Sequence, residues 1–151
     1  MDQRTAKRLM RRIGWYPPYL GAGIRVREFD EEEPSFTVEM RLRWWNRNLF
    51  GTHFGGSLYS MCDPFYTFLV ILELGRDYIV WDRGARIVFK RPGRGTVHAT
   101  FTVTDEDITA IREAVKADGR TVHTFRTVIL GEDGEVVAEV EKDVYARRKT
   151  R

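Results

Sequence analysis

The sequence predicts an α+β fold, with a curved antiparallel sheet of about six strands around one long central helix. Three observations carry that prediction. Ser35 to Leu42 and Thr96 to Thr104 alternate apolar and polar residues, as strands with one buried face do. The stretch Asn48 to Gly75 passes through a tight Gly-Thr-His-Phe-Gly-Gly loop into a long, mostly apolar segment. The Asp-Gly step within Gly131 to Gly134 marks a hairpin between the last two strand candidates.

In chain order, Asp2 to Ile13 predicts a helix with a thin apolar edge (Leu9, Met10, Ile13) and Gly14 as its C-cap. Trp15 to Leu20 contains Pro17 and Pro18, which argue against regular helix there. Ile24 to Phe29 reads as a short strand, and Asp30 to Pro34 as an acidic turn. The next strand, Ser35 to Leu42, sends Phe36, Val38, Met40 and Leu42 to one face.

In the central helix, Leu58, Met61, Cys62, Phe65, Leu69 and Leu72 form one face, and Phe68, Val70 and Ile71 widen it almost all round. A helix apolar on most sides is a buried one. At 1.5 Å rise per residue it would be about 30 Å long, the width of a small domain. Ile79 to Lys90 predicts a long strand with Ala85, Ile87 and Phe89 on one face, followed by the turn Arg91 to Gly95. Thr96 to Thr104 turns Val97, Ala99, Phe101 and Val103 inward. Asp105 is the candidate N-cap of a short surface helix with Ile108, Ile111, Ala114 and Val115 on its inner face, ending at Gly119. Thr121 to Leu130 and a strand marked by Val136, Ala138, Val140 and Val144 complete the sheet, before a basic tail, residues 147–151.

A chain of 151 residues fits one domain. Hydrophobic content of 42% and charged content of 31% are those of an ordinary globular protein. The single cysteine, Cys62, lies in the apolar stripe, where a thiol packs as a small hydrophobe. It forms no internal disulfide, which fits a reducing compartment. The first residues lack the apolar core of a signal peptide, and the run Phe65 to Leu72 is too short to span a bilayer. A cytoplasmic protein without a membrane partner is expected. Net charge is only +3, concentrated at the chain ends, and no reading motif accompanies it, which argues against nucleic acid as a partner. No His, Cys and acid cluster has metal-ligand spacing, so neither metal nor cofactor is expected.

The loop and Asp63 are read as a site at the N-terminal half of the central helix. Asn48, Gly51-Thr52, Gly55-Gly56 and Asp63, with two, two and six residues between successive members, resemble the motif of the hotdog-fold acyl-CoA thioesterases. The resemblance is strongest to the phenylacetyl-CoA thioesterase-like group, and within the superfamily to a branch described as a domain of unknown function with a thioesterase role. The order of elements supports it over nearly the whole chain. Many members carry His just before the Gly pair; here Phe54 stands there and His53 lies one place earlier. The resemblance implies an acyl-CoA or acyl-carrier thioester as substrate, edge-to-edge homodimers or dimers of dimers, and a site at each dimer seam.

The residue types suit that chemistry. A thiolate leaves with little acid assistance, since its conjugate thiol has a pKa near 8.5. One carboxylate can therefore suffice, activating a water or attacking the carbonyl itself, and Asp63 is the candidate for either role. Backbone N–H groups of Gly55 and Gly56 would receive the oxyanion, and Asn48 could hold a water or the carbonyl. Thr52, His53 and Phe54 would contact substrate, with His53 read either as a base or as a solvated loop residue. Arg91 and Arg94 could hold coenzyme A phosphates or belong to a solvated turn. Trp44 and Trp45 could line an acyl pocket or simply pack in the core. Asp63-Pro64 admits two structures. Either Asp63 caps a helix that begins at Pro64, or the helix begins near Gly55 and Pro64 kinks it at the acid.

Overall fold

In a computed structural model, which describes residues 12–30 and 33–149, the alternating segments form one six-stranded antiparallel sheet. Its strands are β1 (Ile24–Asp30), β2 (Ser35–Arg41), β3 (Tyr78–Phe89), β4 (Thr96–Thr102), β5 (Arg120–Leu130) and β6 (Val136–Arg148). They lie in the order β1-β2-β4-β5-β6-β3, so β1 and β3 are the edges. Register follows from the side-chain period of two. Phe36 faces Phe101 and Val38 faces Ala99, and all four are buried. On β6 the inward set is Ala138, Val140, Lys142, Val144 and Ala146, every one buried.

The helices described are α1 (Pro17–Ala22), α2 (Gly55–Ser60), α3 (Phe65–Leu74) and α4 (Asp105–Asp118), with a 3₁₀ turn at Ile13–Trp15. Helix α3 packs across β3, β4, β6 and α4. Its Phe65 stacks on Phe101 at 5.1 Å and its Tyr66 on Phe125 at 4.7 Å between ring centroids. Offset aromatic pairs at such distances add specific geometry to a large apolar burial. Leu58, Met61, Cys62, Phe65, Leu69 and Leu72, the face expected from sequence, are all buried.

Four expectations need correction. The central helix is not continuous. It runs as α2, breaks over Met61 to Pro64, and resumes as α3, with Pro64 itself at the N-cap and a cis Asp63–Pro64 peptide. Proline has no N–H to give the turn before it and pushes the preceding residue out of helical backbone, so Asp63 lies in the break. Pro17 and Pro18 open a helix rather than prevent one, because they occupy the first turn of α1, where no N–H partner is needed. The N-cap of α4 is Thr104, not Asp105: its hydroxyl accepts from the Asp107 amide, while the Asp107 carboxylate accepts from the Thr104 amide. Arg147 and Arg148 end strand β6 rather than starting a tail. The helix expected over Asp2 to Ile13 lies outside the described residues except at its end, where Ile13 enters the 3₁₀ turn. Residues 150–151 of the expected tail also lie outside them.

One irregularity positions the site. Ala85, Ile87 and Phe89 sit opposite Lys142, Val140 and Ala138, on the core face as expected, although Ala85 and Phe89 remain exposed at the sheet edge. Continuing that alternation backwards would turn Arg83 inward. Instead the register shifts between Asp82 and Gly84, and Asp82 pairs with inward-facing Val144. A bulge adds one residue to one strand and so re-aims the side chains beyond it. Here it turns Asp82 into the core.

Candidate active site

The break between α2 and α3 exposes Asp63 on one side and anchors it on the other. Its carboxylate Oδ1 lies 3.1 Å from Nζ of Lys142, which is itself 3.1 Å from Asp82 Oδ1 and donates to the Tyr59 hydroxyl at 3.1 Å. Lys142 is completely buried, whereas the Asp63 side chain is 46% exposed. Asp82 also accepts from the Thr67 hydroxyl at 2.8 Å. The Tyr19 hydroxyl donates to the backbone carbonyl of Asp63, which fixes the break against α1. Side chains from five elements, α1, α2, α3, β3 and β6, thus form one network around the break at Asp63.

Burial raises the Asp63 pKa above the usual carboxylate range, and its hydrogen bond with Asp82 adds to the rise; the Lys142 ammonium works against both. Burial alone would lower the Lys142 pKa, but the Tyr59 hydroxyl and the two carboxylates hold it above that of an ordinary lysine. The result is an ionised lysine behind a carboxylate of raised basicity. The exposed side of Asp63 opens into a cavity of about 490 Å³, walled by Ile13, Trp15, Tyr16, Tyr19, Pro64 and Phe68, with Arg12 at its border. An apolar cleft of this size with a few convergent polar groups is the usual form of a small-molecule site.

The loop before α2 is built around Asn48. Its Oδ1 accepts from the amides of Phe50 and Thr52 at 2.9 and 3.1 Å, and its Nδ2 donates to the Thr52 hydroxyl and the His53 carbonyl. The Asn48 amide is therefore engaged within the loop, with buried Thr52 as its partner. Gly55 and Gly56 open α2, ahead of the helix's own hydrogen bonds, and the N-cap residue Phe54 brings no side-chain acceptor to them. Two exposed aromatic rings pack close against them and would have to shift to admit a side chain. A Cβ on Gly56 would lie 2.5 Å from the exposed Phe54 ring, and one on Gly55 would lie 3.0 Å from the ring of Phe89. Gly56 lines a separate depression of about 440 Å³ with Trp45, Phe54 and Ser57, so Asp63 and Gly56 border different hollows of a single chain.

His53 is buried, not solvated. Its Nε2 lies 3.0 Å from the Gly95 carbonyl, Nδ1 has no hydrogen-bond partner, and burial lowers its pKa against that hydrogen bond. Arg91 is held by both carboxylate oxygens of Asp133, at 2.8 and 2.5 Å, and by the Glu135 carbonyl. That pairing fixes the turn and occupies the guanidinium. Arg94, next to buried Gly93, is exposed. Trp44 and Trp45 are 77% and 51% exposed and meet edge to face, which overturns core packing for both. Cys62 is buried beside the break, where burial pushes its thiol up to about 12, far from a reactive thiolate. Lys142, Asp82 and Tyr59 were not foreseen. The one available signal was Lys142 itself, a lysine on the inward parity of β6 between Val140 and Val144.

Comparison with known proteins places these features in a family context. The profile of a family described as Domain of unknown function (DUF4442) matches residues 4–146. A Pseudomonas aeruginosa protein of unknown function, described as a probable thioesterase, superposes with a TM-score of 0.77 at 18% identity, over 99% of this chain and 97% of that one. A Chlorobaculum tepidum protein of unknown function gives 0.76 at 14% identity, over 98% and 97%. A Haemophilus influenzae thioesterase gives 0.68 at 16% identity, over 91% and 87%. No curated protein matches the chain. At these identities the structural likeness concerns the fold. Among the described residues no helix is long and apolar enough to cross a membrane.

Proposed function

We propose that this chain, which belongs to the family described as Domain of unknown function (DUF4442), is a hotdog-fold thioester hydrolase acting on acyl-CoA or acyl-carrier thioesters. The observation that carries the reading is the Asp63 carboxylate, half-exposed on the wall of an apolar, aromatic-lined cavity and backed by a buried ammonium. In its base role, Asp63 takes a proton from water. The hydroxide so formed adds to the thioester carbonyl, and the C–S bond breaks. The thiolate leaves and is protonated, and the products are a carboxylic acid and a thiol. In its nucleophile role the carboxylate adds first and water then cleaves the mixed anhydride. Either role needs Asp63 ionised, and its raised pKa makes it the stronger base for the task.

The cavity suits a medium-length or aromatic acyl group, set against Trp15, Tyr16 and Phe68. The amides of Gly55 and Gly56 would receive the oxyanion, a contribution typically worth about 2.7–4 kcal/mol of barrier per donor. In a single chain Gly56 lines a different hollow from Asp63. We therefore place the complete site at a homodimer seam, where one protomer supplies the carboxylate and its partner the amides. Strand β3 supports that arrangement, since it pairs with β6 on one side and leaves its other edge free among the described residues.

A thiol-release assay over a panel of acyl-CoA substrates, with wild type beside Asp63→Asn, tests the activity. The wild type should turn over medium-chain or aryl thioesters. Asp63→Asn should fold normally and lose about 10²–10⁴-fold in kcat, the range of a positioned acid or base. Equal rates in the two proteins remove Asp63 from the mechanism. The separation of the glycine amides from Asp63 favours one second reading, a non-catalytic acyl-thioester binder. That reading predicts saturable binding of the same thioesters with no thiol released.

A further inference from the structure

Among the described residues, Lys142 is the buried charge whose placement the steps above leave unexplained. It is 0% exposed, yet strand parity gives its position to the core, between Val140 and Val144. An unpaired ammonium there would be strongly destabilising, so its partners decide why it is tolerated. Those partners are Asp63 Oδ1 and Asp82 Oδ1, both at 3.1 Å, and the Tyr59 hydroxyl at 3.1 Å, with the Tyr59 ring centroid 5.2 Å away. The arrangement is asymmetric. Asp82 is turned inward by a bulge and held by Thr67, and its side chain is 25% exposed. Asp63 is the more exposed carboxylate and the one that borders the cavity. A lysine kept only to neutralise core charge would have no need to reach a carboxylate that is half in solvent.

We propose that Lys142 is the positioning residue of Asp63: its ammonium fixes the orientation of that carboxylate at the cavity wall and, with Asp82 opposing it, sets the pH at which Asp63 becomes a base. The inference rests on the hydrolase reading for its kinetic consequence, but the geometry that carries it is independent of turnover. Being fully buried, Lys142 makes no contact with substrate, so it acts through Asp63 alone. Other groups also face Asp63. Arg12 and Tyr16 lie on the cavity wall, Tyr19 bonds its backbone carbonyl, and the Cys62 thiol lies beside it on the buried side. Lys142 and Asp82 pull the carboxylate in opposite directions, and that opposition supplies the test.

The acidic limb of kcat/KM against pH reports the base of the free enzyme. Lys142→Met removes the cation that keeps Asp63 ionised, so the limb should move to higher pH, by about one unit or more for an opposite charge lost at this distance. Asp82→Asn removes a raising influence, so its limb should move to lower pH. KM should stay within about twofold in both, because neither residue meets substrate. Asp82→Asn keeps size and shape and leaves the ammonium in place, so it holds the test open if Lys142→Met does not fold. Limbs that coincide in wild type and Asp82→Asn, or that move the same way in both variants, overturn the proposal. If the wild type releases no thiol from any substrate, the hydrolase reading fails by itself. In that event the Asp63 carboxyl titration, followed by ¹³C NMR, reads the same two opposite shifts, and their absence overturns the placement of Lys142.

Discussion

His53 and Asp63 flank the two ends of the same short helix, α2, and respond to pH in opposite senses. Burial lowers the His53 pKa, so the folded state binds a proton there less readily than the unfolded chain does. Such a group gives stability that is whole above the unfolded value, near 6.5, and is lost as pH falls from there toward the lowered folded value. His53→Gln keeps a donor for the Gly95 carbonyl and removes the titration. The wild type should therefore lose more stability than His53→Gln between pH 7.5 and 5.5, read as urea midpoints. Equal losses would assign the pH dependence to other groups. At this scale Asp63 was legible because an acid among apolar residues stands out in a sequence. Lys142 was not, since one polar residue in an alternating strand reads as noise. Asp82 could not be, because only the bulge at Arg83 turns it inward.

Elements were legible wherever one periodicity governed them. The alternation of β2 and β4 and the 3.6-residue stripe of the central helix gave faces that are buried as expected. What escaped was punctuation: prolines that start α1, a proline that splits the central helix, and a cap assigned one residue late in α4. Each depends on a single residue's backbone chemistry, which a periodic pattern averages away. The α4 cap is open to direct measurement. The Thr104 hydroxyl accepts from the Asp107 amide at 3.2 Å, and Asp107 accepts in return from the Thr104 amide at 3.0 Å. Thr104→Ala removes one orphan donor's partner and should cost about 1 kcal/mol. For a chain of this size that is a fall of roughly 2–4 °C in Tm. Thr104→Asp, which keeps an acceptor, should recover most of it. Because His123 Nε2 also contacts Asp107, the alanine variant should loosen the junction of α4 with β5, seen as faster amide exchange over residues 105–108.

For the molecule as a whole, Trp44 and Trp45, which the sequence offered to a pocket or the core, are surface, and they are not the only large apolar residues there. Leu49 is fully exposed, Phe50 is 85% exposed and Trp44 77%, with Trp45, Phe54 and Phe89 each more than half exposed. Phe54 and Phe89 lie against Gly56 and Gly55, so this apolar surface reaches the free edge strand β3 at the glycine pair. Isolated exposed apolar residues need no explanation, but exposed rings gathered at a strand with one free edge point to a contact surface. No periodicity within one chain could reveal this, because in the proposed dimer the surface that covers it belongs to a second copy. The proposed dimer makes a prediction that separates assembly from chemistry. The wild type should sediment as a dimer at micromolar concentration. Leu49→Asp with Phe50→Asp places two charges on the loop tip, away from the Asp63–Lys142–Asp82 cluster, and should shift the protein to monomer with its fold intact by circular dichroism. If the carboxylate of one protomer works with the glycine amides of its partner, the monomer should lose thioester hydrolysis although Asp63 is untouched, and activity should return with protein concentration as the dimer reforms. A monomeric variant that keeps full activity would place both halves of the chemistry within one chain. A wild type that sediments as a monomer would remove the seam altogether.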